Sequence, residues 1–579
     1  MNLLPFKELP PYKPRHFVPG KIDFGDWKQI EPLFDQLEAR TGEVKAVGDL
    51  ENWIRDWSEV SAAIDQESAT RYIAMTCHTD NAEAEQAYLS FVEKIEPMIK
   101  PRQFALAKIF VANPLREQLP KDRYLVLDRD TRLHVELFRP ENVALETKES
   151  QLSQQYQKLF GSLTVQFRGE EKTLTQMGRY LEETDRALRK ETWELVVNRR
   201  LQEREKFDDI FDQLVEIRQK IAANAGFENY RDYAFRKLGR FDYTPKDCEQ
   251  FHDAVEAEVM PALRELQQNR REQLRLDILR PWDLAVDPMG RPPLRPFEQV
   301  EQMVTRTQTI FDKLDRDLAE GFQTMQKLHL LDLANRKGKA PGGYQSTLSE
   351  ARLPFIFMNA VGLQRDVETI LHEAGHAFHA LATRDEDLHS YRSAPIEFCE
   401  VASMSMELLA GGHLNEFYSE DHANRARRTH LENILSILSW IATVDAFQHW
   451  IYTHKGHSRA ERASAWNALI QRFGGDVDWT GFENARAALW HRQLHLFIHA
   501  FYYIEYGIAQ LGALQIWANS KRNQPDALKK YKDALALGGS RPLAELFRAA
   551  GCEFDFSRKT LAPLVGLVQE ELSQLESVG

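Results

Sequence analysis

The chain has 579 residues, of which 43% are hydrophobic and 28% charged, and its formal net charge is −13. This length allows two large lobes with sizeable cores. An acidic chain without a basic stripe argues against nucleic acid as a partner. Leu, Glu, Ala, Arg and Gln are abundant while β-branched residues are not, which predicts a mainly α-helical protein.

The four cysteines, Cys77, Cys248, Cys399 and Cys552, lie far apart in the sequence. They show no paired metal-ligand spacing, so we expect scattered reduced thiols and no cysteine-bound zinc. Residues 1–7 lack the charged-then-apolar pattern of a signal sequence, and no run approaches the ~18 apolar residues that span a bilayer. These features predict a cytoplasmic protein with no membrane partner.

Helical periodicity dominates the first half of the chain, from about residue 24 to 160 and again from about 180 to 278. Between these stretches, the alternating residues 163–167 and the following 172–175 predict a short β-hairpin. Five prolines within 281–296 are incompatible with helix and predict a loop between structural units.

A further helix is expected from about 297 to 328. The glycine-rich stretch that follows includes Gly342, Gly343 and Tyr344, but it lacks the Lys-Ser/Thr ending of a phosphate-binding loop. The apolar run Leu353–Met358 then predicts a strand in a small sheet. An edge strand of such a sheet can hold an extended peptide through main-chain hydrogen bonds.

The next helix, expected to start near Val367 with Asp366 as its cap, carries the chemistry of the chain. His372 and His376 are four residues apart, so they share one helix face and can bind a single ion, with Glu373 beside them as a base. A His-acid-x-x-His string should arise by chance roughly 0.1 times in a chain of this composition. The alternative is an ordinary amphipathic helix whose polar residues face solvent.

A catalytic zinc ion needs three protein ligands and an open position, so the third ligand decides the class of enzyme. Zinc peptidases of the thermolysin and aminopeptidase type have a glutamate nineteen residues past the second histidine, where this chain has Pro395. The metzincin pattern requires glycine at 379 and histidine at 382, but the residues are His379 and Ala382. Both classes are therefore excluded.

The helix expected after Ser393 carries three glutamates, at Glu397, Glu400 and Glu407. The strings His372–His379 and Phe398–Ser403 resemble the His-Glu-x-Gly-His-x-x-His string and the downstream Glu-Val-x-Ser helix of the zinc oligopeptidases. This is the family of thimet oligopeptidase and oligoendopeptidase F, and the resemblance is closer to the second. It implies that Glu400 joins His372 and His376 around one zinc ion per chain. Glu397 is the less favoured substitute, and His379 is not expected to bind the ion.

Residues 490–506 are rich in histidine and aromatic residues, and by periodicity alone they form an aromatic helix more typical of a core. In the resembled family a corresponding helix faces the zinc and supplies hydrogen-bond donors to the substrate carbonyl. The resemblance implies that the oxyanion donor is His499, Tyr503 or Tyr506, and it leaves the choice open. The expected substrate-binding residues are Gly342, Gly343, Tyr344, His495 and Tyr502.

The resemblance also implies a mainly α fold of two helical lobes flanking a deep substrate channel, with a small β-sheet next to the zinc-binding helix. The expected domains are an N-terminal helical lobe, 1–195, and a catalytic domain, 196–579. The implied activity is zinc-dependent hydrolysis of internal bonds in short unstructured peptides, with Glu373 as general base. The alternatives are a catalytically silent peptide-binding protein of the same fold and a zinc enzyme with a different substrate. Side-chain preference, endopeptidase versus dipeptide-releasing mode and oligomeric state stay open.

Overall fold

The secondary structure is mainly α-helical, as the composition predicts, and the computed structural model describes residues 9–577. The N-terminal residues used to predict localisation lie outside the described range. The helices of the first half are α1 (Trp27–Ala39), α2 (Val47–Cys77), α3 (Ala82–Ser90), α4 (Glu96–Ala112), α5 (Lys121–Leu137), α6 (Asn142–Gly161), α7 (Leu174–Met177), α8 (Arg186–Gln202), α9 (Arg204–Asn224), α10 (Tyr230–Lys237), α11 (Pro245–Ala254) and α12 (Met260–Gln273). Those of the second half are α13 (Val300–Leu314), α14 (Arg316–Lys327), α15 (Gln364–Ala382), α16 (Ile396–Gly411), α17 (Glu420–Thr453), α18 (Arg459–Phe473), α19 (Glu483–Ala487), α20 (Leu494–Ile498), α21 (Ile504–Arg522), α22 (Gln524–Leu535), α23 (Leu543–Ala549) and α24 (Arg558–Ser577).

The chain forms two compact units, and each is assembled from three separate stretches. The first unit contains the residues up to Glu136, then Arg295–Arg427 and Gly512–Phe554. The second contains Leu137–Leu294, Arg428–Leu511 and the residues from Asp555 onward. Each unit combines stretches from both sides of residue 195. The expected boundary between an N-terminal lobe and a catalytic domain at that residue stays a prediction.

The stretch expected as one helix from 297 to 328 is two helices, α13 and α14, separated by Asp315. The backbone of Asp315 is extended, and its carboxylate accepts hydrogen bonds from the backbone N–H groups of Asp317 (2.9 Å) and Leu318 (3.2 Å). An aspartate in this position caps the start of a new helix. The prediction of one continuous helix is wrong because this side chain offers the backbone an alternative to helix continuation.

Helix α17 is long and apolar enough, by length and composition, to cross a membrane. Polar residues interrupt this helix throughout, so it does not contradict the expectation that no continuous apolar run of that length occurs. In addition, 72% of the apolar window of this helix is buried inside the protein. The core helix of a globular protein has the same property, so this helix is weak support for a membrane span.

Two small sheets interrupt the helices, with strands β1 (Thr164–Phe167), β2 (Glu170–Thr173), β3 (Leu331–Ala334), β4 (Tyr344–Leu348) and β5 (Leu353–Ala360). β1 and β2 form the predicted antiparallel hairpin. The second sheet has the order β3-β5-β4, with β3 parallel and β4 antiparallel to β5. β4 is therefore an edge strand in the described sheet. Strand β5 is buried along almost its whole length, as its continuous apolar run predicts.

The second sheet packs directly against α15, so the expected position of a small sheet beside the zinc-binding helix is confirmed. Gly343, just before β4, lies against α15: a Cβ added there would be 3.2 Å from Thr369 Cγ2. The preceding Gly342 has φ of +101°, a conformation that favours glycine. The two glycines thus bring the start of the edge strand close to the helix, one turn before His372.

Helices α15 and α16 approach each other most closely at Gly375. A Cβ added to Gly375 would lie 2.5 Å from Ser403 Cα and 2.6 Å from the Ala402 carbonyl oxygen. These are backbone atoms, so a side chain at this position would force the two helices apart. The absence of a side chain at Gly375 therefore sets the distance between the helix that carries His372 and the helix that carries Glu400.

We expect Gly375→Ala to destabilise the protein by roughly 1–3 kcal/mol, the usual cost of overpacking, and to weaken metal binding by the residues of α15 and α16. Thermal unfolding and a zinc titration would measure the two effects. Gly566→Ala is the matched control, because Gly566 lies in α24, is exposed and has no atom within 4 Å of its added Cβ. The control should be neutral or slightly stabilising, as alanine is the better helix former. Equal effects from both substitutions would contradict the role given to Gly375.

Candidate active site

The metal-binding helix α15 begins three residues earlier than the sequence predicts, at Gln364. Asp366 lies inside its first turn and does not precede it as a cap. Its carboxylate reaches back and accepts hydrogen bonds from the backbone N–H groups of Val361 (2.8 Å) and Leu363 (2.9 Å). An acidic side chain at the third helical position commonly satisfies backbone donors in this way. The carboxylate still fixes the start of the helix.

The structure brings His372, His376 and Glu400 together in the first unit. One potential ligand atom from each lies within 4.8 Å of the other two. Glu400 Oε2 is 3.4 Å from His372 Nε2 and 3.7 Å from His376 Nε2. Four ligand atoms about 2.0 Å from a tetrahedral zinc ion lie about 3.3 Å from one another, so this spacing fits a metal. Two imidazoles and one carboxylate are also the donor set of a catalytic zinc site with an open position.

Two neighbours on α16 orient these ligands. Glu407 Oε1 lies 2.6 Å from His372 Nδ1, which donates its proton to the carboxylate and leaves Nε2 directed toward Glu400. Ser403 Oγ donates to Glu400 Oε2 at 3.0 Å. The sequence identified Glu407 only as one of three glutamates on this helix. Its position seven residues after Glu400, two turns along the same helix face, is the signal that could have revealed its role.

Glu373, the predicted general base, is 8% exposed and lies beside the ligand cluster. Burial raises the pKa of Glu373 to about 7, although His372 acts to lower it. A carboxyl group with a pKa near neutrality both accepts and returns a proton readily, which is what a general base in hydrolysis must do.

The histidine pKa values show how the cluster handles charge. Burial lowers the pKa of His376 to about 4, so its ring is neutral and can bind a metal. Burial also acts to lower the pKa of His372, but its contacts with Glu400 and Glu407 hold that pKa well above its usual value. A proton on His372 Nε2 is attracted to the Glu400 carboxylate. A metal ion that binds His372 Nε2 would displace this proton, and the ion would then be attracted to Glu400 in its place.

Two residues that sequence reasoning treated as weaker possibilities lie outside the ligand cluster. His379 is buried, its ring contacts Phe398, and burial lowers its pKa to about 3. Glu397 is buried on α16, but within the described residues it is not a member of the metal-ligand group. The arrangement therefore favours Glu400 as the third ligand.

The predicted substrate-binding stretch at Tyr344 has its side chain occupied within the protein. The Tyr344 hydroxyl is 2.6 Å from Thr76 Oγ1, and its ring stacks on Phe357 at 4.8 Å. Asn359 Nδ2 donates to the carbonyl oxygens of Ala340 (2.8 Å) and Gly342 (2.9 Å), which holds the glycine-rich loop on β5. Any contribution of this segment to peptide binding therefore falls on the backbone of the edge strand.

The region 490–506, in the second unit, is not one helix as its periodicity suggests. Helix α20 ends at Ile498, and α21 begins at Ile504. The Phe497 carbonyl oxygen, which would accept from Phe501 in a continuous helix, accepts from the buried Arg218 guanidinium at 2.7 Å. The Phe501 N–H donates instead to Gln448 Oε1 at 2.5 Å, and Phe501 has a φ of +65°. The prediction of a continuous helix is wrong because these two distant side chains replace its hydrogen bonds.

The predicted residues of this region nevertheless gather around one ring. The His495 ring centroid lies 4.8 Å from that of Tyr503, 5.7 Å from that of Tyr502, 5.8 Å from that of Tyr506 and 6.5 Å from that of His499. His499 is exposed, Tyr502 and Tyr506 are half-buried, and Tyr503 is buried. We call these five residues the aromatic cluster.

A residue that sequence reasoning missed, Gln493, fixes the proton position on His495. Trp440 Nε1–H donates to Gln493 Oε1 at 2.8 Å, which leaves Gln493 Nε2 to donate to His495 Nδ1 at 2.7 Å. Burial and His499 lower the pKa of His495 to about 4, so the ring is neutral. With Nδ1 as an acceptor, the single ring proton lies on Nε2, where it can be donated. Only the tertiary position of Trp440 reveals this arrangement.

Two family profiles match the chain over most of its length. The Peptidase M3 N-terminal domain matches residues 20–138, and Peptidase family M3 matches residues 179–565, which is more than half of the chain. The chain belongs to peptidase family M3. The predicted relation to these oligopeptidases is thereby confirmed, and relatives named oligoendopeptidase F confirm that side of the family.

Individual relatives of this M3 family member agree. Oligopeptidase PepF from Bacillus subtilis is 24% identical over 253 residues, and the alignment covers 43% of this chain and 37% of that protein. The solved structure of PZ peptidase A with inhibitor 2 is 29% identical, with a TM-score of 0.87 over 96% of this chain and 99% of that chain. A structure provisionally described as oligoendopeptidase F is 28% identical. Its TM-score is 0.86, and the match covers 97% of this chain and 99% of that chain. These matches confirm the mainly helical fold and indicate a hydrolase of the metallopeptidase class.

We expect Glu407→Gln to weaken zinc binding by about 10–100-fold, because His372 loses the carboxylate that orients it. Glu400→Gln should weaken binding further, since it removes a charged ligand. Competition between the metal-free protein and a chromophoric chelator would measure both affinities.

Glu397→Gln is the matched control, because Glu397 is a buried glutamate on the same helix as Glu400. It should keep the zinc affinity of the unmodified protein. If Glu397→Gln lost zinc while Glu400→Gln retained it, Glu397 would be the third ligand and the assignment of Glu400 would be wrong.

Proposed function

We propose that this member of peptidase family M3 is a zinc-dependent oligoendopeptidase that cleaves internal bonds of short, unstructured peptides. The observation that carries the proposal is the convergence of His372, His376 and Glu400 ligand atoms within 4.8 Å of one another, with the buried Glu373 beside them. A protein that only binds peptides has no use for a base at this position. The same geometry therefore favours hydrolysis over silent binding.

The residues of the first unit divide the chemistry among them. His372, His376 and Glu400 would hold a zinc ion, which when bound would supply Lewis-acid chemistry to the scissile carbonyl and to a water molecule. Glu373 would take a proton from the attacking water on its carboxylate and then pass it to the leaving amine. Glu407 keeps the His372 ring in the orientation that directs Nε2 to the ion.

We further propose that a residue of the aromatic cluster stabilises the oxyanion, and that His495, expected from the sequence only to bind substrate, is the donor in place of His499, Tyr503 or Tyr506. What supports His495 is the hydrogen bond from Gln493 to Nδ1, which leaves a fixed proton on Nε2. Tyr503 is less suited because it is buried. His499 and Tyr506 are the alternatives. Loss of one such donor costs about 3 kcal/mol in other enzymes.

An extended peptide is the substrate form that fits the edge strand β4. Gly342 and Gly343 leave the backbone at the start of this strand without side chains, and the strand lies against the helix that carries Glu373. A peptide that adds to a sheet edge pairs through its main chain, so it must be unfolded over the paired segment. This requirement is consistent with short unstructured peptides and excludes compact folded proteins.

We expect Glu373→Gln to abolish peptide hydrolysis, with a loss of at least about 10²–10⁴-fold in kcat, while one zinc ion stays bound. The amide cannot accept the proton, but it leaves the three ligands in place. Zinc content by elemental analysis and cleavage of a mixed peptide library by mass spectrometry would be measured on the same sample. Substantial remaining cleavage would contradict the assignment of Glu373.

The unmodified protein with and without a chelator provides the control for this experiment. Cleavage should stop when zinc is removed and return when zinc is added. Internal cleavage positions would support an oligoendopeptidase, whereas removal of dipeptides from one end would replace that part of the proposal. Bound peptides without any cleavage would identify a silent binding protein.

We expect His495→Phe to lower kcat by about 10²–10³-fold with little change in zinc affinity, because the lost donor acts on the transition state. His499→Phe is the matched control, since it makes the same substitution four residues away on an exposed side chain. Steady-state kinetics on one defined peptide would measure both. A larger loss from His499→Phe would transfer the donor role to His499.

A further inference from the structure

A second cluster of metal-ligating side chains lies in the second unit, between α11 and α17. Helix α11 contributes Cys248 and His252, and α17 contributes Asp445 and His449. The two residues of each pair are four positions apart, so each pair occupies one face of its helix. None of the four belongs to the ligand cluster of the first unit, and the proposed peptidase chemistry uses none of them.

Three of these side chains converge on the carboxylate of the fourth, Asp445. One potential ligand atom from each of Cys248, Asp445 and His449 lies within 4.8 Å of the other two. Asp445 Oδ2 lies 3.2 Å from His449 Nε2, close to the ~3.3 Å that separates neighbouring ligand atoms in a tetrahedral zinc site. The same oxygen lies 2.9 Å from His252 Nε2, which approaches as a hydrogen-bond donor. His252 thus holds the carboxylate while Cys248 and His449 approach it.

Several polar atoms of this cluster have unmet hydrogen-bonding capacity. Among the residues that the structure describes, Asp445 Oδ1 and His449 Nδ1 lack a hydrogen-bond partner, and His449 Nε2, although 3.2 Å from Asp445 Oδ2, is not aligned for a hydrogen bond. Asp445 is fully buried, and His449 is 6% exposed. Buried polar atoms are nearly always hydrogen-bonded, so several orphaned atoms on two adjoining residues indicate a missing partner. A metal ion would bind lone pairs of this kind directly.

The charges of the cluster suit a divalent cation. His252 Nε2 and His449 Nε2 lie 2.9 and 3.2 Å from Asp445 Oδ2, so the buried acidic group has two basic neighbours. A cation that binds the Cys248 sulfur would displace the thiol proton to solvent. The resulting thiolate and the carboxylate together offset the two positive charges of the ion. The buried Arg240, which lies near Cys248, is paired with Glu505 at 3.0 Å.

We infer that Cys248, Asp445 and His449 bind a second metal ion, with His252 as the residue that positions the Asp445 carboxylate. Sulfur, nitrogen and oxygen donors in one site favour zinc. All the ligands are buried, so the ion has a structural role and ties α11 to α17. This inference revises the expectation that no cysteine binds zinc, because the partners of Cys248 lie on a helix almost 200 residues further along the chain.

Cobalt provides a test that is independent of peptidase activity. The full-length protein, freed of metal and titrated with Co²⁺, should develop the near-ultraviolet band of a thiolate-to-cobalt charge transfer. The first ligand cluster contains only nitrogen and oxygen donors, so it cannot produce this band. Cys248→Ser should lose the band completely. Cys399→Ser is the matched control and should retain it, because Cys399 lies next to Glu400 and reports on the first cluster.

The outcomes separate clearly. No band in the unmodified protein, or a band that survives Cys248→Ser and disappears in Cys399→Ser, would overturn the inference. The peptidase proposal would be unaffected by either result, since the Glu373→Gln experiment tests it separately.

Zinc content provides a second measurement that needs no metal removal. The protein with His372→Ala and His376→Ala lacks the first site and should still contain one zinc ion per chain. Adding His449→Ala should remove that ion, with circular dichroism used to confirm that both variants are folded. A protein with His372→Ala and His376→Ala that is folded and contains no metal would overturn the inference.

Discussion

The close contact of α15 and α16 at Gly375 is the constraint on which the proposed active site depends. A helix can place His372 and His376 on one face by itself, but it cannot supply the third ligand. The missing side chain at Gly375 lets Ser403 and Ala402 approach within van der Waals distance, and Glu400 lies one turn from Ser403 on the same helix. The metal geometry is therefore a consequence of backbone packing. In this chain the residue at position 375, between the two histidines, must be glycine for this steric reason.

Both metal-ligating clusters use the same arrangement of buried charge. In each, a pair of residues four apart on one helix faces acidic or sulfur donors on a second helix, and a further side chain orients one ligand. Glu407 orients His372 in the first cluster, and His252 holds Asp445 in the second. A buried carboxylate is costly unless a partner neutralises it. In both clusters histidines offset part of the carboxylate charge, and a bound cation would offset the rest.

The second unit shows how distant side chains determine local backbone structure. The fully buried Arg218 is neutralised by Glu149 and donates to two carbonyl oxygens at the end of α20, 278 or more residues away in sequence. Gln448 then accepts the Phe501 N–H that the helix would otherwise have used. The break between α20 and α21 places His495 and three tyrosines around one point. A continuous helix would have spread them along its length.

The sequence by itself determined the helical composition, the β-hairpin, the sheet beside α15 and the residues of the proposed catalytic set, from His372 to Glu400. These features depend on local periodicity, turn chemistry and a family pattern, all of which are present in short stretches of the chain. Tertiary structure alone decided the end of α20, the proton position on His495 and the convergence of Cys248 with Asp445. Each of these depends on contacts between side chains and backbone groups of separate helices. Spacing along one helix cannot encode which other helix will pack against it.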